Sequence, residues 1–193
     1  MSKVWFTSDT HFGHQRTLEL SRRPFSTIAE MNNALVSRWN HNVAVEDTVY
    51  HLGDFGEPEF MHRLQGARIF LLPGNYDTPE TIETLLQQDT RIRIWGNVNG
   101  ERAKGILMKS PVDSGLPEYL YLVHEPENAA SSNVFYLYGH IHQLQMVKRN
   151  GLNVGVDCHQ FHPIDFNVVK FYYDAITQHY DKNVFMPELG NKE

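Results

Sequence analysis

The 193-residue sequence contains a single cysteine, Cys158, so no internal disulfide can form. It also has no apolar run near the ~20 residues that a membrane span requires. The apolar stretch at positions 4–6 is too short for the core of a signal peptide. These absences predict a protein of the reducing cytoplasm without a membrane partner.

Positive charge is scarce relative to negative charge. Seventeen Lys and Arg stand against 23 Asp and Glu, for a net charge of -6. An extended basic track for nucleic acid is therefore not expected. The net charge does not exclude a small phosphorylated substrate as a partner, provided that bound metal supplies the positive charge. The oligomeric state is left open by the sequence.

Repeats, low-complexity tracts and Pro/Gly linkers are also missing, which favours one domain over residues 1–193. With 41% hydrophobic residues, a chain of this length can bury one substantial core. Histidine, in contrast, is abundant, with 11 residues. Because imidazole is the commonest metal ligand, this abundance directs attention to metal chemistry.

Short runs rich in Val, Ile, Tyr and Phe predict strands at residues 4–7, 48–52, 68–72, 119–123 and 134–138. A capping-box pattern at Thr27 predicts a helix that begins there. Further predictions are helices over 57–65 and 79–88, strand-like structure over 92–109, and a hairpin turn at Asn150-Gly151. Residues 165–179 fit a helix or a strand, and the helix is favoured. The fold class is α/β.

Polar residues follow five of the predicted strands, where α/β sheets collect their ligands. They offer seven potential metal ligands: Asp9, His11, Asp54, Asn75, His124, His140 and His142. This mixture of oxygen and nitrogen donors suits Mn, Fe, Zn or Ni better than Ca or Mg alone. Seven ligands exceed one tetrahedral site. If one carboxylate bridges, they divide into two sites of about four ligands each, ~3.5–4 Å apart.

The spacing of these residues adds geometric expectations. Asp9 and His11 are two positions apart, as are His140 and His142, and on extended backbone such pairs leave the same face. Three glycines immediately before ligand positions predict close backbone approach at tight turns: Gly53, Gly74 and Gly139.

The ordered motifs resemble those of the calcineurin-like metallophosphoesterases. They are Asp9-x-His11, Gly53-Asp54, Gly74-Asn75-Tyr76-Asp77, His124 and Gly139-His140-x-His142, within residues 4–142. The resemblance implies a four-layer α-β-β-α sandwich, in which helices flank two mixed sheets. It also implies a dinuclear metal centre and hydrolysis of phosphoester bonds by a metal-bound hydroxide.

Carried over by position, the resemblance divides the ligands between two divalent transition metal ions. One ion would be held by Asp9, His11, Asp54 and His142, and the other by Asp54, Asn75, His124 and His140. Asp54 would therefore bridge. Mn is the favoured ion, and Fe, Zn, Ni or Mg are the alternatives.

One motif position departs from the family pattern, because Tyr76 stands where the family has a His that can protonate the leaving oxygen. Tyrosine has an ordinary pKa of ~10 and is a weaker acid than histidine, whose ordinary pKa is ~6.5. Asp77 would hold the Tyr76 hydroxyl or cap the helix near Pro79. His14 is a candidate to replace the missing imidazole. The candidate catalytic residues are thus Tyr76, Asp77 and His14.

This departure predicts a phosphodiesterase that acts on small or nucleotide phosphates, whose leaving groups need little protonation. The alternatives are a phosphomonoesterase or protein phosphatase, and a catalytically weak metal-binding interaction module. Substrate selection is expected from loops 12–26, 96–118 and 157–165. For His51 we expect a structural or supporting role, and for His159 and His162 a position in the cleft. The arginines Arg16, Arg22 and Arg23 are expected either to bind substrate phosphate or to lie on the surface.

Overall fold

The computed structural model describes residues 2–95, 97–98, 101–102, 105–126 and 134–180. Its strands are β1 (Val4–Thr7), β2 (Thr48–His51), β3 (Arg68–Leu71), β4 (Ile92–Ile94), β5 (Asn97–Val98), β6 (Glu101–Arg102), β7 (Ile106–Lys109), β8 (Tyr119–Leu122), β9 (Phe135–Tyr138), β10 (Val147–Lys148), β11 (Gly151–Asn153) and β12 (Ile164–Asp165). Its α-helices are α1 (Gln15–Leu20), α2 (Ile28–Asn42), α3 (Pro79–Gln88) and α4 (Phe166–Asp174). Short 3-10 helices cover Pro58–Arg63, His142–Leu144 and Val156–Cys158.

The strands form two five-stranded mixed sheets. The first has the order β12-β1-β2-β3-β4, in which β12 is antiparallel and the other four are parallel. The second has the order β10-β11-β9-β8-β7, with antiparallel strands at both edges. Two mixed sheets flanked by helices confirm the predicted sandwich. β5 and β6 form a separate pair.

Strand β1 shows how the core is divided, because neighbouring side chains face opposite sides of the sheet. Trp5 packs in a cluster with Met31, Leu35 and Trp39 of α2. Phe6, which is fully buried, belongs to a second cluster. That cluster joins both sheets and α4 through Leu120, Leu137 and Val169. The first sheet therefore has one face on helices and the other on the second sheet.

The predicted helices form where local signals are strong. Thr27 caps α2 by accepting a hydrogen bond from the Glu30 N–H, and the Glu30 carboxylate accepts one from the Ser26 N–H. Residues 79–88 form α3, as predicted. Residues 57–65 instead contain the 3-10 helix Pro58–Arg63. The favoured helix within residues 165–179 is confirmed as α4, Phe166–Asp174, which continues into a π-helical turn at Ala175–His179.

Three local expectations differ from the structure. The predicted loop 12–26 contains the short helix α1, which buries only Thr17 and Leu18 and so leaves little apolar periodicity in the sequence. The hairpin between β10 and β11 turns at Arg149-Asn150, because Gly151 already pairs as the first residue of β11. Loop 96–118 lies partly outside the described residues and otherwise includes β5, β6 and β7. Among helices in the described ranges, none is long and apolar enough to cross a membrane.

Candidate metal centre

The seven predicted ligands meet where loops from both sheets face each other. Asp9, His11 and His142 each place one ligand atom within 4.8 Å of the others, and Asp54, His124 and His140 form a second such cluster. Asn75 joins the second cluster, because its Oδ1 lies 2.9 Å from His124 Nε2 and 3.0 Å from His140 Nδ1.

Asp54 lies between the two clusters. Its Oδ2 is 3.5 Å from Nε2 of His11, in the first cluster, and 3.4 Å from Nε2 of His124, in the second. The other carboxylate oxygen accepts a hydrogen bond from the Tyr76 N–H at 2.9 Å. One oxygen of Asp54 therefore faces donors of both clusters, as a bridging ligand requires.

Left-handed backbone, rather than extended backbone, brings the ligand pairs together. Positive φ angles occur at Asp9 (56°), His11 (49°), Asp54 (58°), His140 (71°) and His142 (49°). Such conformations are uncommon for residues other than glycine and cost of order 1–3 kcal/mol each. The expectation that these pairs share a face of an extended strand is therefore wrong.

The strained loops are held by hydrogen bonds between them. The Asp9 N–H donates to the Gly53 carbonyl at 2.9 Å, and the His11 N–H donates to the Asp54 carbonyl at 3.0 Å. The His140 N–H donates to the Asp9 carboxylate, at 2.9 Å from its nearer oxygen. Each ligand loop thus fixes another, so the site depends on contacts between distant segments.

The predicted close approach at glycine is present in the structure. A Cβ on Gly139 would collide with Ser8 Oγ and with the Asp9 carboxylate. A Cβ on Gly74 would collide with the Asp54 carboxylate. Only hydrogen at these two positions leaves the ligand carboxylates where they are.

The electrostatics keep the central carboxylate ionised. Burial opposes ionisation of Asp54, but the hydrogen bond and charge of His124 and the charge of His11 outweigh it and lower its pKa to about 2. Burial lowers the pKa of His11 to about 3, against the opposing effect of Asp54. Burial also disfavours charge on His124, yet its hydrogen bond to Asp54 and the nearby Asp9 raise its pKa to about 9.

The residues present fit divalent cations. His11 Nε2 is buried, has no hydrogen-bond partner among the described residues, and lies beside Asp54. A cation in the space between this nitrogen and the ionised Asp54 carboxylate would satisfy both groups. The donor set of carboxylate and amide oxygens with imidazole nitrogens suits a transition metal.

Hydrogen bonds behind the ligands fix the orientation of two imidazoles. His124 Nδ1 lies 2.7 Å from the Leu52 carbonyl, which can only accept, so Nδ1 carries the hydrogen. His142 Nδ1 lies 2.8 Å from Asp157 Oδ2. Burial opposes ionisation of Asp157, but its bonds with His142 and Arg23 outweigh burial and lower its pKa. Both rings are thereby held with Nε2 facing the clusters, and metal binding at His124, whose pKa is raised to about 9, would release the Nε2 proton.

Asp157 and Arg23 form a buried pair that sequence reasoning missed. Arg23 donates to both carboxylate oxygens of Asp157, at 2.9 and 2.8 Å, and to the carbonyls of Thr10 and Asp9. The expectation that Arg23 binds substrate phosphate or lies on the surface is wrong, because its side chain is fully buried in this pair. Neither residue has sequence neighbours that indicate the pair, because the two lie 134 positions apart.

Asp77 supports the candidate ligand loops and does not cap α3. Its Oδ2 accepts from the N–H groups of Asp54 and Gly74, at 2.7 and 2.8 Å, and its Oδ1 accepts from the Phe55 N–H at 3.0 Å. Thr78, not Asp77, caps α3. The predicted capping role of Asp77 is therefore wrong, and its carboxylate ties the Asp54 loop to the Asn75 loop.

Tyr76 and His14 lie beside the first cluster. The Tyr76 ring is half-exposed and stands edge-on to His11, with 5.5 Å between ring centroids. His14 Nδ1 is 3.2 Å from His11 Nδ1, and the His14 ring lies 6.3 Å from Tyr76. Both side chains line a cavity of about 280 Å³ that also includes His142.

The other histidine and arginine candidates fall into distinct surroundings. His51 is buried, 3.0 Å from Thr10 Oγ1, and burial lowers its pKa to about 3, which fits the predicted structural role. His159 is buried against the Asn153 carbonyl at 2.7 Å, which corrects its predicted cleft position. Arg16 lines the cavity beside the first cluster, whereas Arg22 is exposed. His162 lines a separate cavity with Arg38.

Comparison with known proteins identifies the family. The model for the calcineurin-like phosphoesterase superfamily domain matches residues 3–156. The chain belongs to this superfamily. As a calcineurin-like phosphoesterase it is an enzyme that hydrolyses phosphoester bonds, and divalent metal binding is a property of the family.

Two sequence relatives and one solved structure are similar to this calcineurin-like phosphoesterase, and none of their names states a substrate. An uncharacterised protein of Methanocaldococcus jannaschii is 26% identical over 186 residues, which cover 88% of this chain and 90% of that protein. The Gene 66 protein of Mycobacterium phage D29 is 27% identical over 192 residues, with 86% and 94% covered. A solved structure of a protein of unknown function from Aquifex aeolicus has a TM-score of 0.66 at 20% identity, covering 89% of this chain and all of that one. This last likeness shows a shared fold.

Proposed function

We propose that this phosphoesterase hydrolyses phosphodiesters of small or nucleotide substrates at a dinuclear metal centre. The observation that carries the dinuclear assignment is the position of Asp54 Oδ2, 3.5 Å from His11 Nε2 and 3.4 Å from His124 Nε2. The proposed ligands of one ion are Asp9, His11, Asp54 and His142, and those of the other are Asp54, Asn75, His124 and His140. Mn²⁺ is the proposed ion, to be compared with Fe, Zn, Ni and Mg.

Two divalent cations, when bound, supply positive charge for phosphate oxygens and lower the pKa of water. The chain's own residues prepare the site for them. Asp54 is ionised at neutral pH, and His11 is neutral because burial lowers its pKa to about 3. These are the protonation states that metal ligation requires, so no proton has to leave either group.

Protonation of the leaving group is the step that this chain supports weakly. Tyr76 occupies the motif position of the family's acidic imidazole. A phenol has an ordinary pKa of ~10 and therefore releases its proton less readily at neutral pH than an imidazolium does. His14, within hydrogen-bond distance of His11, is the second candidate donor. Substrates whose leaving groups need little protonation are therefore favoured: aryl esters, diesters and strained cyclic phosphates.

The sharpest test is a matched kinetic series. Bis(4-nitrophenyl) phosphate, 4-nitrophenyl phosphate and an alkyl monoester are compared with Mn²⁺, Ni²⁺, Zn²⁺ and Mg²⁺ supplied in turn. The wild type should prefer the diester. Tyr76→His should raise the rate on the alkyl monoester relative to the diester, whereas Tyr76→Phe, the control without an acidic hydrogen, should not.

Two outcomes would contradict this proposal. Alkyl monoesters hydrolysed as fast as diesters by the wild type would instead favour a phosphomonoesterase. Retained metal without turnover of any phosphoester would favour a metal-binding interaction module. A small phosphorylated substrate is the proposed partner, because the net charge of -6 disfavours extended nucleic acid.

A further inference from the structure

A cavity of about 280 Å³ lies between α1 and the loop that carries Tyr76. Two of its lining residues, His11 and His142, also belong to the first metal-ligand cluster. A molecule whose phosphate binds at this cluster therefore has adjoining space for a further group. The volume lies just below the range of small-molecule pockets, ~300–1,000 Å³, and suits one ring system better than a polymer.

Two large side chains of this cavity remain open to solvent. Leu20 is 65% exposed and Tyr76 is 49% exposed. Tyr76 is nevertheless held in place, since its N–H donates to Asp54 and its ring stands edge-on to His11. An aromatic ring and an aliphatic side chain fixed beside a phosphate site offer apolar surface that a ligand can remove from water.

Arg16 adds a cation to the same cavity. Its side chain is exposed and forms no ion pair with other described residues. A guanidinium group stacks readily on the face of a planar aromatic ring. The cavity therefore offers three kinds of contact: aliphatic from Leu20, aromatic from Tyr76 and planar cationic from Arg16. An alkyl group of a ligand would use few of these contacts.

We propose that this cavity is the subsite for a planar aromatic group of the substrate, such as a nucleobase or an aryl ester. The inference rests on the proposed function, since the phosphate of the same molecule must lie beside His11 and His142. It narrows the substrates from phosphodiesters in general to those that carry a ring next to the phosphate.

Calorimetric titration of the Mn²⁺-loaded full chain with phenylphosphonate and methylphosphonate tests the subsite without turnover. The two probes share the anionic group and differ in the ring. Phenylphosphonate should bind about tenfold more tightly, the order expected when part of a phenyl ring leaves water. Leu20→Ser and Tyr76→Ser should each lower this preference about threefold, and Tyr76→Phe should keep it.

Leu107→Ser is the matched control, because Leu107 is 58% exposed on β7 and does not line the cavity. It should leave the tenfold preference unchanged. Thermal unfolding checks that each variant is folded. Equal affinity for the two phosphonates, or a preference that survives both serine variants, would overturn the aromatic subsite while leaving the hydrolase proposal intact. No binding of either phosphonate would overturn both.

Discussion

The Asp157 carboxylate lies 2.8 Å from His142 Nδ1 and at the same time forms two hydrogen bonds with Arg23. Arg23 in turn donates to the backbone carbonyls of Asp9 and Thr10. The loop that carries Asp9 and the ring of His142 are therefore joined through one buried ion pair. Because both proposed ligands serve the same ion, this pair sets the distance between two donors of that ion.

Asp157→Asn should weaken one metal site and spare the other. The neutral amide loses the charge that stabilises the Nδ1 hydrogen of His142, and loss of such a supporting group costs about 10- to 100-fold in metal affinity. Mn²⁺ titration followed by calorimetry should give one tight and one weakened site. Asp113→Asn, a change at an exposed loop carboxylate, is the control and should retain two tight sites. Two unchanged sites in Asp157→Asn would contradict the assignment.

Arg23→Ala should destabilise the metal-free protein by about 3–5 kcal/mol. Removal of the cation leaves the buried Asp157 carboxylate without its partner, and such single truncations of buried pairs are costly. Urea unfolding in the presence of a chelator measures the change. Arg22→Ala tests the exposed neighbouring arginine and should change stability by no more than about 0.5 kcal/mol. A loss below about 1 kcal/mol for Arg23→Ala would show that water or other groups satisfy Asp157.

The fold and the clustering of the seven candidate ligands could be predicted because both depend on local signals. Each of five apolar runs ends beside a polar motif, and the carboxyl ends of parallel strands collect such residues. The capping box at Thr27 and the proline at the start of α3 are likewise local. These features place a residue within an element and require no knowledge of distant contacts.

The missed features depend on contacts between distant segments. Arg23 and Asp157 are 134 positions apart, so nothing in the neighbourhood of either indicates the pair. The left-handed backbone of Asp9 and His11 is stabilised by bonds to Gly53 and Asp54, and a two-residue spacing alone suggested extended structure. The sequence neighbours of Asp77, Tyr76 and Pro79, suggest local roles, whereas its hydrogen bonds reach back to the Asp54 loop.

The proposed bridging role of Asp54 predicts how metal stoichiometry responds to single changes. Asp9→Asn should remove one ion and leave one tight site, because Asp9 belongs to one cluster only and the amide oxygen can still accept the His140 N–H. Asp54→Ala should weaken both sites, since its Oδ2 faces donors of both clusters. Elemental analysis after gel filtration should then give about two, one and fewer than one ion per chain for wild type, Asp9→Asn and Asp54→Ala.

Thermal unfolding provides the control for this series. An ion present at 100 times its dissociation constant stabilises the native state by about 2.7 kcal/mol, so Mn²⁺ should raise the wild-type midpoint. The Asp54→Ala midpoint should barely respond, although the variant remains folded. One tight ion retained by Asp54→Ala would argue against a shared carboxylate.

Asp47 predicts an acid-dependent loss of stability away from the metal centre. Burial opposes its ionisation, but the N–H groups of Lys3 and Ala44 and the Trp5 indole donate to the carboxylate and lower its pKa below the ordinary 3.8. A depressed native pKa means that the stabilisation is complete above the unfolded value of ~3.9 and is lost as the pH falls through the native pKa.

Asp47→Asn should therefore lower the free energy of unfolding by about 1–3 kcal/mol at pH 5–7, because three donors face a neutral acceptor. The difference from wild type should shrink below pH 4, where protonation weakens the wild-type contacts as well. Urea unfolding at pH 7, 5 and 3, with a chelator present, measures this convergence. Glu46→Gln, at the exposed neighbouring carboxylate, should follow wild type throughout. A deficit in Asp47→Asn that stays constant down to pH 3 would mean that shape, not charge, makes Asp47 stabilising.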